Sequence, residues 1–170
     1  KALQSGTSHY FGQGFAQAFN MKFLDKDGKQ KFVYQTSWGV STRLLGAIIM
    51  VHGDDNGLVL PPYVAPIQVM IVPIQQNKPG VLDKAEEIRQ ALQVKGIRVK
   101  VDASDKSPGW KFSEQEMRGI PLRIEIGPKD IENNHCVIAK RNDGVKQTVE
   151  LDADLAGIVT SLLQTIHEEM

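Results

Sequence analysis

Apolar residues from position 67 onward are spaced in a pattern that predicts alternating strands and helices. Ile67–Ile74 is almost continuously apolar, as expected of a strand covered on both faces. A stripe with helical spacing follows over residues 82–92 and ends before Gly96, and residues 97–101 then alternate apolar and basic side chains. This order of elements predicts a βαβ unit with a right-handed crossover.

Three more strands and a closing helix are predicted after this unit. Leu122–Ile126 alternates apolar side chains with Arg123 and Glu125, which we expect to point outward. A fourth strand passes through Cys136, a fifth follows a turn, and apolar residues between 155 and 166 give the last helix an amphipathic face. The second part of the chain is therefore predicted to be a compact α/β domain, with a mixed sheet of roughly five strands and flanking helices.

The first forty residues carry a weaker pattern. Phe11, Phe15 and Phe19 recur at a spacing of four, which predicts a short helix with three rings on one face. Residues 21–24 and 32–38 predict two strands on either side of a turn that contains Asp and Gly.

A domain boundary is predicted near position 62. A helix over about residues 42–51 is followed by a turn-forming segment. The Pro61-Pro62 pair that ends this segment cannot continue a helix and stiffens the connection. We therefore assign residues 1–62 and 63–170 to separate domains.

Composition and charge indicate a folded protein with only local attraction for nucleic acid. Of the 170 residues, 41% are hydrophobic and 24% are charged, and the formal net charge is zero. Such a chain can bury a core, but it has no overall field that draws RNA or anionic membrane. Between Lys95 and Lys129 there are eight basic and five acidic residues, whereas five acidic residues and no Lys or Arg lie from Glu150 onward. Any RNA should therefore bind in the middle of the chain.

Cysteine and aspartate give little support for a metal site. The single cysteine, Cys136, excludes an internal disulfide and leaves no C-x-x-C pair for zinc, so we expect no zinc site and a buried Cys136. The adjacent Asp54 and Asp55 raise a metal hypothesis, but a turn rich in Asp, Asn and Gly explains both without a ligand.

The sequence predicts a cytoplasmic protein without membrane contact. No apolar run approaches the roughly 20 residues that a membrane helix needs, and no signal-peptide pattern is present. The chain opens at Lys1 inside a motif, so we also expect it to be part of a longer protein.

Arg43 is the first candidate for chemistry. It directly precedes apolar residues at helical spacing, which places it near a helix N-terminus, where free N–H groups and the helix dipole favour an anion. Arg43 could equally be a surface residue of an amphipathic helix, and Ser41 could be only a helix cap.

Three sequence blocks together resemble one known family. The first is QSGTSHYFGQGFAQAF near the start, the second is STRLLGA followed by VHGDDNGLVLPP, and the third is GWKFSEQEMRGIPLRIEIGPKDI at Gly109–Ile131. The first two resemble the last signature motif of class II aminoacyl-tRNA synthetases as it occurs in prolyl-tRNA synthetases, and the third resembles their anticodon-binding domain. The resemblance implies the C-terminal part of such an enzyme, with the tail of an antiparallel-sheet catalytic core followed by an α/β anticodon-binding domain.

The resemblance implies an ATP site in the first part of the chain. In the family, the catalytic arginine that matches Arg43 grips the γ-phosphate of ATP. Residues that match Gln4, Thr7 and Ser41 contact the nucleotide, which brings Mg²⁺ bound mainly through phosphate oxygens. The planar fork of arginine suits this role because it holds phosphate oxygens in pairs and keeps its charge.

The resemblance also implies a proline pocket. His9 matches a residue that lines this pocket, and Trp38 resembles its aromatic wall. Thr7 and His9 are two residues apart and so share one face of an extended strand. On residue type alone, the Thr-x-His pair could be merely structural and Trp38 could belong to the core.

A third set of residues concerns RNA. Trp110 and Phe112 flank Lys111, so the three could stack a base and neutralise a phosphate, or they could be two core aromatics around a solvated lysine. In the family, the aromatic matching Phe112 stacks on the anticodon, and the residues matching Glu116 and Arg123 hydrogen-bond to its two guanines. Glu can accept from guanine N1 and N2, and Arg can donate to O6 and N7.

The implied reaction belongs to a larger enzyme. That enzyme would activate L-proline with ATP to prolyl-adenylate and transfer the prolyl group to the 3′ end of tRNA(Pro), acting as a homodimer. The other two class II motifs, with the dimer contacts and a second arginine, are absent here, so this chain alone should be inactive. One alternative is a non-catalytic RNA-binding or partner-binding module derived from a synthetase. A weaker one is a metal-dependent nucleotide hydrolase built on Asp54 and Asp55.

Overall fold

The computed structural model describes residues 2–151 and 154–170, which form two compact units, Lys1–Met50 and Val51–Met170. The boundary between the units falls inside a helix, twelve residues before the boundary predicted from the proline pair. The assignment of domains to residues 1–62 and 63–170 stays a prediction.

The first unit contains short strands and helices. In chain order they are β1 (Gly6–Gly12), α1 (Gly14–Ala18), β2 (Lys22–Leu24), β3 (Gln30–Phe32), β4 (Gln35–Val40) and α2 (Arg43–His52). Strand β1 pairs antiparallel with β4, and β2 pairs antiparallel with β3.

Two predictions for this unit are wrong in detail. The helix expected to carry three Phe rings is only five residues long, because Phe11 lies in β1 and Gly12, at φ +55°, ends that strand at a register shift. Phe11 and Phe15 still meet edge to face, 4.8 Å between centroids. The strand expected over residues 32–38 is divided between β3 and β4, which pair with different partners.

The second unit is built on a five-stranded mixed sheet, as predicted. Its elements are β5 (Val69–Pro73), α3 (Val81–Val94), β6 (Val99–Val101), α4 (Pro108–Met117), β7 (Leu122–Ile126), α5 (Pro128–Glu132), β8 (His135–Lys140), β9 (Lys146–Glu150) and α6 (Leu155–Glu169). The strand order is β6-β5-β7-β8-β9, with β5 parallel to β6 and β7, and the β7-β8 and β8-β9 pairs antiparallel.

Helices cover both faces of this sheet. On one face, Val69 and Ile71 of β5 belong to the main core with apolar residues of α3 and α6. On the other face, Met70 and Val72 form a smaller cluster with Ile120, against which Phe112 of α4 packs. Strand β5 is therefore buried on both sides, as its continuous apolar run predicted.

Helix α4 was not predicted from the hydrophobic pattern, and its local signals explain where it begins and ends. The Ser107 hydroxyl accepts a hydrogen bond from the Trp110 N–H at 3.4 Å, and Pro108 opens the first turn. The helix ends at Met117, and Gly119, two residues later, closes the last turn with a φ of +69°. Helix α5 was also not predicted.

The segment that follows α2 packs against the end of α4. The N–H of Leu58 donates to the Met117 carbonyl at 3.1 Å, and the N–H of Leu60 donates to the Gly119 carbonyl at 3.2 Å. The two backbones approach so closely that a Cβ on Gly57 would lie 2.6 Å from the Met117 Cα. This segment is thus an integral part of the second unit.

Within the part of the chain that the structure describes, no helix is long and apolar enough to cross a membrane. Cys136 is fully buried in β8, and burial raises the pKa of its thiol to about 11.

Candidate functional site

The antiparallel β1–β4 pair and the start of α2 bring together all four residues predicted to bind ATP. Arg43 is the first residue of α2, and its backbone N–H donates to the Ser41 hydroxyl at 3.3 Å. Its Nη1 donates to Gln4 Oε1 at 3.2 Å, and Gln4 Nε2 donates to Thr7 Oγ1 at 2.7 Å. A chain of hydrogen bonds therefore links Thr7 to Arg43 through Gln4.

These residues line an open depression of about 380 Å³, which also includes His9. No Asp or Glu lines it. Among the described residues, no carboxylate forms an ion pair with Arg43, so the guanidinium charge is available to an anionic ligand. The depression has the composition expected of a phosphate or nucleotide site.

Trp38 lies apart from this depression. Cross-strand partners share a face, and Trp38 pairs with Ser8, whereas His9 pairs with Ser37. Trp38 and His9 therefore lie on opposite faces of the β1–β4 pair, and Trp38 lines a different shallow surface. Its side chain is 77% exposed, so the alternative that Trp38 is an ordinary core residue is wrong.

The Asp54 carboxylate is held by an arginine. Arg141 Nη1 donates to Asp54 Oδ2 at 2.7 Å, and Arg141 Nη2 donates to Asp54 Oδ1 at 2.6 Å. Both oxygens are therefore committed to a cation. Among the described residues, no group of three or more His, Cys, Asp or Glu side chains could hold a metal ion. Nothing in this arrangement favours the hydrolase alternative.

The three residues predicted to read the anticodon meet between α4 and β7. Arg123 Nη1 lies 3.1 Å from Glu116 Oε1, and the Arg123 Cζ sits over the Phe112 ring, 4.1 Å from its centroid. Arg123 Nη2 also lies 3.0 Å from Glu125 Oε1. Arg123 therefore contacts both of the other predicted residues.

Arg123 does not point into solvent as its place in an alternating strand suggested. It leaves the sheet on the α4 face and is only 8% exposed, because Phe112 covers it. A buried guanidinium is costly unless it is paired, and the carboxylates of Glu116 and Glu125 provide that pairing.

Lys146 of β9 joins this site and was not predicted. Its Nζ lies 2.9 Å from Glu125 Oε1 and 5.4 Å from the Phe112 centroid. The sequence did contain a signal, since a hairpin turn before Lys146 returns the chain next to β8, which pairs with β7.

Lys111 contradicts both interpretations of the Trp-Lys-Phe triplet, since it is neither solvated nor free to meet a phosphate. It is 2% exposed, and its Nζ donates to the Asp102 carbonyl at 2.8 Å and to Gln76 Oε1 at 3.2 Å. Lys111 therefore anchors α4 to the end of β6, while the neighbouring Trp110 is 47% exposed.

Glu116, Arg123 and Lys146 lie on the wall of a cleft of about 330 Å³ between α4 and the β8–β9 turn. Both positive and negative side chains line it, including Arg141 and Asp54. Such a wall offers donors and acceptors side by side, as the edge of a nucleobase requires.

Comparison with known proteins identifies the second unit. The family model described as "Anticodon binding domain" matches residues 68–160. A proline–tRNA ligase from Lachnospira eligens is 63% identical over 170 residues, which are 100% of this chain and 35% of that protein. One from Clostridium novyi is 60% identical over 100% of this chain and 35% of that protein.

A third relative, proline–tRNA ligase 2 from Bacillus cereus, is 57% identical over 100% of this chain and 35% of its own length. The chain spans about a third of the length of these curated relatives. The resemblance to prolyl-tRNA synthetases is confirmed, and the chain belongs to the anticodon-binding domain family.

Proposed function

We propose that this chain is part of a proline–tRNA ligase and supplies its anticodon reader together with part of its ATP and proline pocket. The whole enzyme activates L-proline with ATP to prolyl-adenylate and transfers the prolyl group to the 3′ end of tRNA(Pro). The observation that carries the proposal is that Arg123 contacts both Phe112 and Glu116, beside a cleft lined by Glu116 and Arg123, in a domain of the anticodon-binding family.

Recognition of the anticodon is an exchange of partners. In the free chain, Glu116 accepts from Arg123, so neither residue is left unpaired. A guanine edge offers N–H donors at N1 and N2 to Glu116 and acceptors at O6 and N7 to Arg123. Each side chain therefore replaces a protein partner with a base, while Phe112 supplies a ring on which a base stacks.

Discrimination follows from the same exchange. A base that lacks these groups would separate Glu116 from Arg123 without replacing their hydrogen bonds, and unpaired polar groups in a partly closed cleft are costly. Lys146, next to Glu125 and Phe112, adds a donor that can bind a phosphate or a base oxygen.

The first unit contributes to the chemical step by holding ATP. Arg43 binds the γ-phosphate, Gln4, Thr7 and Ser41 contact the nucleotide, and Mg²⁺ enters as part of the ATP complex. Catalysis in such a site consists of positioning and charge stabilisation, so no side chain is assigned as a general base.

His9 is assigned to the proline side of the pocket, and Trp38 is a further candidate on the opposite face of the β1–β4 pair. The proposal also includes a homodimeric, cytoplasmic whole enzyme, as the family resemblance implies. The chain by itself should not catalyse proline-dependent exchange between ATP and pyrophosphate, because it lacks the other two class II motifs.

The test of the reader uses an RNA stem-loop with the tRNA(Pro) anticodon. Phe112→Ala, Glu116→Ala and Arg123→Ala should each weaken binding about tenfold or more, as expected for loss of a stacked base or a charge-assisted hydrogen bond. Fluorescence anisotropy at one fixed salt concentration measures this. Glu114→Ala is the matched control on the same helix. Unchanged affinity and guanine preference in all three site variants would refute the assignment.

The test of the ATP side uses the whole enzyme. Proline-dependent ATP–pyrophosphate exchange should be lost in Arg43→Ala, because the γ-phosphate then has no guanidinium partner. Full activity in this variant would refute the role of Arg43. ATP turnover without proline would favour the hydrolase alternative instead.

A further inference from the structure

Arg141 is a second arginine beside the anticodon site, and it contacts that site only through the backbone. It directly follows β8, and its Nε donates to the carbonyl oxygen of Glu116 at 2.9 Å. Its two terminal nitrogens donate to the two carboxylate oxygens of Asp54 at 2.7 and 2.6 Å. All three guanidinium nitrogens are therefore engaged, and the orientation of the planar group is fixed.

This arginine joins three segments that are far apart in sequence. It lies 25 residues from Glu116 and 87 residues from Asp54. The carbonyl that it binds is in the last turn of α4, where backbone oxygens lack helical partners. The only other donor to this oxygen among the described residues is the Gly119 N–H, at 3.0 Å on the terminal glycine of the helix. Arg141 thus fastens the part of α4 from which the Glu116 side chain projects.

Direct contact between Arg141 and RNA does not fit its environment. The Arg141 side chain is only 6% exposed, and its nitrogens are engaged by Asp54 and Glu116. A residue that binds a phosphate directly would present its donors to solvent. Its influence on RNA must therefore pass through the residues that it holds.

We propose that Arg141 is a positioning residue of the anticodon reader. It fixes the last turn of α4, and with it the Glu116 carboxylate beside Arg123, while Asp54 holds the guanidinium of Arg141 in place. The inference rests on the proposed function, because it assumes that Glu116 reads a guanine. It implies that the segment after α2 contributes to base selection through Arg141.

Recognition of a guanine by Glu116 depends on exact placement of its carboxylate. Two hydrogen bonds from one guanine edge to one carboxylate require the oxygens to be placed within about 0.5 Å. The Glu116 side chain is 41% exposed, so its own packing does not fix it. Its position depends on the backbone turn that carries it and on Arg123.

The test compares stem-loops in which each anticodon guanine is replaced in turn by inosine. Inosine lacks the N2 amine of guanosine. The guanine preference, which is the dissociation constant of the inosine loop divided by that of the guanosine loop, therefore reports on the hydrogen bond from that amine to Glu116. Glu116→Gln sets the reference for a lost carboxylate. Arg141→Lys keeps the positive charge but loses the planar guanidinium that bonds Asp54 and the Glu116 carbonyl together. We expect it to reduce the guanine preference about tenfold, as loss of one charge-assisted hydrogen bond would. Binding of the inosine loop and the salt dependence should stay as in the wild type.

Two further variants complete the design. Arg118→Lys is the matched control, because Arg118 is a 58% exposed arginine at the same end of α4 that pairs with Glu114. It should leave the preference unchanged. Asp54→Asn leaves Arg141 able to donate to the Glu116 carbonyl and should reduce the guanine preference about two- to fivefold. This variant tests the positioning role even if Arg141→Lys does not fold.

The outcomes separate the two claims. A wild-type preference in both Arg141→Lys and Asp54→Asn, with the preference lost in Glu116→Gln, would overturn the positioning role and leave the proposed function standing. An equal loss of affinity for both loops in Arg141→Lys, with a weaker salt dependence, would also overturn it, because Arg141 would then bind phosphate. A preference that survives Glu116→Gln would refute the proposed reader itself.

Discussion

The carboxylate of Asp54 titrates well below its ordinary range. Its pKa is lowered to about 2, chiefly because Arg141 donates two hydrogen bonds to it, with smaller help from the N–H groups of Asn56 and Gly57. Some burial opposes this shift. The ion pair therefore survives over the whole physiological pH range and breaks only in strong acid.

This shift predicts an acid-sensitive contribution to stability. Because the folded pKa lies below the ordinary value of 3.8, the contribution is complete above that value and is lost as the pH falls towards 2. We expect Asp54→Asn to lower the free energy of unfolding near neutral pH by about 1 kcal/mol, a modest effect because solvent screens the pair. Its free energy of unfolding should also fall less than that of the wild type between pH 4 and pH 2.

Urea unfolding at neutral and acidic pH, followed by circular dichroism, measures this effect. The control is Asp55→Asn, which removes an adjacent carboxylate that forms no ion pair among the described residues. If Asp54→Asn and Asp55→Asn give the same acid profile, the Asp54–Arg141 pair contributes nothing to stability.

At the level of single residues, the sequence indicated which side chains form the anticodon site better than it indicated how buried they are. Phe112, Glu116 and Arg123 were selected by resemblance, and the structure brings them together. The burial of Arg123 and Lys111 was not predicted, because both are buried by the packing of α4 against the sheet, which the sequence pattern did not reveal. Lys111 is buried through Asp102 and Gln76, and its neighbours along the chain give no sign of this.

At the level of elements, the backbone that ends α4 is packed closely against the segment that follows α2. Gly119 has φ +69°, and a Cβ there would lie 2.7 Å from the Leu58 backbone. Gly96 follows the end of α3 in a similar way, with φ +78° and an N–H that bonds to the carbonyl three residues back, as at Gly119, but a Cβ there would meet nothing within 4 Å. The two glycines share a conformation and differ in what lies beside them.

Substitution of alanine at Gly96 and at Gly119 should therefore lower the free energy of unfolding by different amounts. Gly96→Ala should cost about 1 kcal/mol, the penalty for placing a non-glycine residue in the left-handed region. Gly119→Ala should cost about 3 kcal/mol or more, because the methyl group also pushes the Leu58 segment away from α4. Urea denaturation of both variants compares the two costs. Equal losses of unfolding free energy would mean that the close approach at Gly119 is not important.

Elements with a clear hydrophobic pattern were the predictable ones. Strand β5 lies in a continuous apolar run, β6 and β7 alternate apolar and charged residues, and α3 and α6 carry apolar stripes at helical spacing. Helix α4 was missed because its buried positions include the polar Lys111 and Gln115, so the apolar period is broken. Its signal was the Ser107-Pro108 cap, which marks a helix start without hydrophobic residues.

At the level of the whole molecule, the fold class was predictable from the sequence, whereas the contacts of residues 51–62 were not. The two prolines suggested that residues 51–62 belong to the first domain. In the structure these residues cluster with the second unit, where they contact the end of α4 and Arg141. Contacts between residues 87 positions apart leave no local pattern, so no reading of turns and prolines could find them.

Truncation at the two boundaries provides a direct prediction. A chain of residues 51–170 should fold and bind the anticodon stem-loop as the full chain does, because it keeps Asp54, Leu58 and Leu60. A chain of residues 63–170 loses two backbone hydrogen bonds to α4 and leaves the buried guanidinium of Arg141 without its carboxylate.

Loss of the Asp54 carboxylate, which is itself 42% exposed, and of the two backbone hydrogen bonds should destabilise the shorter chain by roughly 3 kcal/mol, or about 1 kcal/mol for each interaction. Its guanine preference should also fall, since Arg141 is no longer held against Glu116. Urea unfolding and stem-loop anisotropy of the two truncated chains measure both effects. If the two chains are equally stable and equally selective, the boundary lies at the proline pair, and residues 51–62 are only a connection.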